Sequence, residues 1–231
     1  MPDAEAAAPR ETFFIVVAGA MNPAIHHPQW YRTIGAIDEA ELKAALQVPF
    51  NQTTPFVSQV QFGSPPLTVT CQPQQWWIQA NKADAWGRML DIASLVFTKL
   101  GETPVNSYGL TAQRHIDTEI LDTKSVLAES IAEMGLGFPS GKKSSGSNVT
   151  LTVTEDDFVA TSTIQPSVLS ERAIFILYQC LYQAPKVPGG YFDLGKLLRG
   201  RFERYQPEQK RIFEEMVAAV NARVAKANSN E

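Results

Sequence analysis

Seven apolar residues between Trp86 and Leu100 constrain the architecture of this chain more than any other feature of it. Trp86, Met89, Leu90, Ala93, Val96, Phe97 and Leu100 recur at spacings of three and four, on one face of a helix over residues 84–100. Asp84 is placed to cap its start, and Lys99 and Gly101 suit its end. Burying the six larger side chains at ~2 kcal/mol each contributes on the order of 10–15 kcal/mol before entropy is charged. That is comparable to the net stability of a whole domain.

Strand patterns flank this helix. Leu67-Thr68-Val69-Thr70-Cys71 alternates apolar and polar, and Trp76-Trp77-Ile78-Gln79-Ala80 follows a Gln72-Pro73-Gln74 turn. Residues 56–62 alternate in part and precede Gly63-Ser64-Pro65-Pro66, so short connections predict an antiparallel meander. Beyond the helix, residues 103–116 return as a strand, with Gly109 as a bulge or a point of close approach. Upstream, residues 1–11 read as a mobile tail. Residues 12–19 form a continuous apolar run, which predicts a strand buried on both faces. Asp38 is a plausible N-cap for a short helix over residues 38–47.

A second set of elements follows. Residues 124–134 read as a smaller helix, and residues 135–147 as a Gly/Ser/Lys-rich loop or linker. Strands are expected at 149–154, 158–164 and 173–182. Asp193 suits the cap of a helix carrying Leu194, Leu197, Leu198 and Phe202. Pro207 suits the first turn of a separate last helix, with Ile212, Phe213, Met216, Val217, Val220 and Val224 on its buried face. Leu67-Thr68-Val69-Thr70 recurs as Leu151-Thr152-Val153-Thr154, and the order of elements recurs with it. The fold class is therefore α+β, in two related halves, each an antiparallel β-meander packed by amphipathic helices. The expected organisation is a tail at 1–11, a first half at 12–134, a linker at 135–147 and a second half at 148–231.

Composition bounds the function. At 231 residues and 44 % hydrophobic, the chain buries enough surface to hold together without disulfide or metal. A net charge of −4 supplies no overall basic field for nucleic acid or anionic lipid. Cys71 and Cys180 fall in strand patterns and read as buried, reduced thiols. Residues 1–11 lack the basic and apolar segments of a signal peptide, and no apolar run reaches the ~20 residues of a membrane span. The expected compartment is the cytoplasm.

Catalytic signatures are weak throughout. Residues 135–144 contain Gly141-Lys142, but the glycine that a phosphate-binding loop needs is replaced by Leu136, and the hydroxyl residue after the lysine by Lys143. His26 and His27 are adjacent, and on an extended segment they point to opposite sides, so they do not share a metal. Glu155-Asp156-Asp157 falls in a hairpin turn, where acidic residues serve turn geometry. No cofactor, no metal site and no catalytic residue is expected, and the balance favours a non-enzyme.

Two groups are candidates for binding. His26, His27, Trp30 and Tyr31 lie on a segment stiffened by Pro23 and Pro28, as a pocket rim or partner-binding loop would. The same composition also suits a rigid crossover whose aromatics plug the core. Lys196, Arg199, Arg201 and Arg204 make a basic stretch able to face nucleic acid or an acidic partner, although interleaved glutamates also fit ordinary surface ion pairs.

Asn22-Pro23-Ala24-Ile25 with Pro28 and Trp30, Asp91-Ile92 with Val96-Phe97, and Thr103-Pro104-Val105 with Tyr108-Gly109-Leu110 resemble a sporadically distributed bacterial family without established activity. The resemblance lies mainly in the first half and carries no catalytic assignment. Its sporadic distribution implies a mobile-element or defence role. The reading carried forward is a non-catalytic cytosolic protein that binds another protein, or itself, within an assembly. The alternatives are a small-molecule binder or hydrolase using His26, His27, Asn106 and His115, and a nucleic-acid-associated subunit using the basic stretch.

Overall fold

The computed structural model describes residues 10–117, 148–170, 172–186 and 192–228. Residues 1–9 of the expected tail, the expected helix at 124–134 and the stretch 135–147 lie outside them. Arg10 and Glu11, expected in the tail, instead pair with β6 as part of the first strand. The fold is α+β. The apolar run near the N-terminus becomes β1 (Arg10–Gly19), followed by α1 (Pro28–Thr33) and α2 (Glu39–Ala45). The meander is β2 (Gln52–Thr53), β3 (Ser58–Phe62), β4 (Leu67–Gln72) and β5 (Gln75–Ala80). Next come α3 (Trp86–Lys99) and β6 (Val105–Asp117). The second set is β7 (Val149–Thr154), β8 (Phe158–Pro166), β9 (Ala173–Gln183) and α4 (Leu194–Asn228).

Among the described residues all nine strands join one antiparallel sheet in the order β2-β3-β4-β5-β1-β6-β9-β8-β7. The sheet is continuous across the two expected halves: β6 pairs with β9 from Ser107–Gln183 to Asp117–Ala173. Read outward from the β1–β6 boundary, β5, β4 and β3 on one side face β9, β8 and β7 on the other. This is the layout that a repeated order of elements produces. The four-residue identity does not follow it, because Leu67–Thr70 lies on interior β4 and Leu151–Thr154 on edge strand β7.

Helices α3 and α4 cover the same face. Trp86 of α3 meets Phe13 of β1 at 5.4 Å, Phe97 meets Trp76 of β5 at 5.3 Å, and Tyr205 of α4 stacks on Tyr178 of β9 at 5.2 Å. The two helices approach so closely that a side chain at Gly195 would overlap Ser94. Strand β1 therefore differs from the expectation of two buried faces. Phe13, Ile15 and Val17 are buried under the helices, whereas Phe14, Val16 and Ala18 on the other face are half-buried. A fully apolar strand also suits the centre of a sheet covered chiefly on one side.

Two local corrections have plain causes. Asp84 sits inside a 3₁₀ turn (Ala83–Ala85) and caps nothing; the turn's own backbone bonds lead directly into α3. Pro207 begins no new helix but lies inside α4, where it removes the donor for the Glu203 carbonyl. Both residues are exposed, so water can serve that carbonyl. Asp38 and Glu41 form the full capping box that starts α2. Among the described residues no helix is long and apolar enough to cross a membrane.

Candidate protein-docking site

The His26–Tyr31 segment folds inward. Tyr31 is 0 % exposed and His26 1 %. The Trp76 indole N–H donates to the Tyr31 hydroxyl at 3.3 Å, and that hydroxyl lies 2.9 Å from His26 Nδ1. Thr53 (3.3 Å) and Ser58 donate to the His26 carbonyl, tying the β2–β3 hairpin to the same segment. His27 serves the backbone: its Nδ1 accepts from the Trp30 N–H at 3.2 Å, capping α1, where Pro28 fits the first turn. Tyr31 and His26 thus have no free surface for a partner, and Trp30 and His27 are only half-buried beside them. Burial, with the neighbouring His27, lowers the His26 pKa to about 4, so it is neutral at physiological pH. Its Nε2 is buried without a hydrogen-bond partner among the described residues.

The residues of the small-molecule alternative do not converge. Asn106 and His115 lie nine residues apart on β6, ~30 Å at ~3.3 Å per residue. His115 pairs with Ser167 at 2.8 Å, at the opposite end of β1 from the His26 segment. Among the described residues no three His, Cys, Asp or Glu side chains are grouped as metal ligands.

The basic stretch divides around its helix. Arg199 and Arg201 project ~200° apart at 3.6 residues per turn. Arg199 pairs with Asp91 of α3, and Arg201 with Asp157 of the β7–β8 turn. Arg201 also lies 4.7 Å over the Tyr182 ring. Lys196 uses its backbone N–H on the Asp193 cap at 2.9 Å. Only Arg201 and Arg204 face the same feature, a cleft between α4 and the outer strands.

That cleft has a volume of about 690 Å³. It forms because α4 is ~50 Å long at ~1.5 Å per residue and runs out over β9, β8 and β7. Buried Leu194, Leu198, Tyr205 and Phe213 anchor it along the way. The floor is Phe158 and Ala160 of β8 with Tyr178, Cys180 and Tyr182 of β9, and Ile212 and Met216 form the helix wall. The far lip is β7, where Leu151 is 63 % and Val153 57 % exposed. Arg204, Arg211, Glu208 and Glu215 line the rim, and Arg211 bridges both glutamates at 2.6 Å. Burial raises the phenol pKa of Tyr178, Tyr182 and Tyr205, so none ionises near neutral pH. The floor is an apolar surface carrying the tyrosine hydroxyls.

In the first half, α1 and α2 fill the corresponding place: Tyr31 packs on Phe62 at 5.4 Å, and Leu42 and Ala45 are buried. Residues 118–147, which follow β6 in sequence as α1 and α2 follow β1, lie outside the described residues. Sequence reading placed Ile212 and Met216 on a buried face and Val153 on a strand. What it missed was that these elements diverge; no local pattern records the angle at which a helix leaves a sheet. No protein-family model matches the chain, and no curated protein sequence matches it.

Proposed function

We propose that this chain is a non-catalytic binding protein that docks an apolar segment of a partner protein in the cleft between α4 and β7–β9. The observation that carries this reading is the cleft itself: an apolar floor and helix wall, open along one side, inside a rim of alternating arginines and glutamates. Interfaces take this form, with an apolar centre inside a polar rim and aromatic residues and arginine over-represented. The ion pairs of Arg201 and Arg211 hold the rim in place before a partner arrives, which lowers the ordering cost of binding.

The test is recovery of proteins with the tagged chain from its host, compared between wild type and an Ile212→Glu/Met216→Glu variant. A partner lost from the variant, which then binds the purified wild-type chain directly and not the variant, supports the proposal. A large fall in melting temperature with unchanged recovery shows instead that the cleft is filled from within the chain. Recovery of nucleic acid in a salt-sensitive complex favours the nucleic-acid alternative.

A further inference from the structure

A sheet of nine antiparallel strands has two edges, and this protein treats them differently. At the β3 edge, two-residue β2 pairs only with Ser58 and Gln59. Beyond it the Asn51 side chain imitates a strand. Its Oδ1 accepts from the Gln61 N–H at 2.7 Å, and its Nδ2 donates to the Gln61 carbonyl at 3.1 Å. At the other edge, β7 pairs with β8 on one side, and no strand pairs with its outer side among the described residues. Its six residues include no charge and no proline, the usual devices that protect an edge.

The sequence of that edge is a palindrome: Val149-Thr150-Leu151-Thr152-Val153 reads the same in both directions about Leu151. In an antiparallel pair, directly opposite residues share a face. Two copies related by a two-fold axis at Leu151 therefore set Leu151 against Leu151, Val149 against Val153 and Thr150 against Thr152. Like meets like throughout, with apolar residues on the cleft face and threonines on the other. The threonine row extends one already present, since Thr150 and Thr163 hydroxyls lie 3.1 Å apart across β7 and β8. A two-fold pair can form without a palindrome, but this one matches the pair side chain to side chain, which a foreign strand gives no reason for.

We infer that β7 pairs with β7 of a second copy of this chain, in the register centred on Leu151, joining two nine-stranded sheets into one. The contact uses the outer backbone edge of β7, whose Leu151 and Val153 also form the far lip of the cleft. Docking is read instead from Ile212 and Met216 on the helix wall, so the two proposals are tested by different residues. It also sets two clefts side by side about the axis.

Sedimentation over a concentration series tests the pairing. The wild type is expected to dimerise reversibly, and Leu151→Glu, which sets like charges face to face, to raise the dissociation constant ~100-fold or more. Leu151 is 63 % exposed, so the melting temperature of the dilute variant should match that of the dilute wild type. Under oxidation Leu151→Cys should cross-link to itself, while Val149→Cys, which faces position 153, should not. Both native cysteines are buried and do not compete. A wild type monomeric up to about 1 mM, a dimer indifferent to Leu151→Glu, or equal cross-linking from position 149 overturns the inference. Slow exchange in dilute monomer of the β7 amides that point away from β8 overturns it too, since the chain itself would then cover the edge.

Discussion

His26 illustrates how a residue suited to chemistry becomes structural. It is neutral in the folded protein because burial lowers its pKa to about 4 from 6.5, whereas the unfolded chain takes up a proton below about 6.5. The stability held by neutral His26 is thus complete above pH 6.5, declines as pH falls towards about 4, and levels off below. The window is worth about 3 kcal/mol at ~1.4 kcal/mol per pH unit. Denaturant unfolding at pH 7 and pH 4.5 should show wild type losing more stability than His26→Gln, which has no proton to take up there. Equal losses would contradict the buried, neutral assignment. Gly109 is a second residue fixed by its surroundings: a Cβ there would sit 2.9 Å from the Cys180 carbonyl on β9. Gly109→Ala should cost ~1–3 kcal/mol in the same assay, because backbone rather than a flexible side chain must yield.

Helix α3 and the β3 edge each depend on single side chains. Val96 is fully buried and Leu90 nearly so, as the spacing of apolar residues required. Val96→Asp should destabilise by ~4 kcal/mol or more, with loss of soluble protein as the readout. Asn51→Ala removes the amide that closes the β3 edge and should cost ~2 kcal/mol and increase aggregation, measured by light scattering on mild heating. Element identity was legible because periodicity and turn residues record it locally, as in the β3–β4–β5 meander and the Asp38 and Asp193 caps. Element ends were less so. Asp84 has the composition of a cap, yet a 3₁₀ turn takes its place, and Pro207 reads as a helix start although the exposed side of α4 tolerates it. Nothing local distinguishes these cases, because the packing of neighbouring elements decides them.

Among the described residues, one sheet with α3 and α4 on the same face leaves a first half closed by α1 and α2 and an open cleft in the second. The α+β class was readable from the order of elements. The inward fold of Tyr31 was not, since a proline-stiffened aromatic segment has the same composition whether it faces solvent or Trp76. The cleft depends on where α4 departs from β9, and its residues looked like ordinary core: Met216 and Ile212 follow the same spacing that buries Val96. The docking proposal rests on that departure. It is tested most directly by placing a photo-cross-linking amino acid at Met216 and irradiating the protein in its host. The account predicts one recurring adduct with a second polypeptide, lost when Ile212 is also changed to glutamate. Cross-links formed only within the same chain would contradict it.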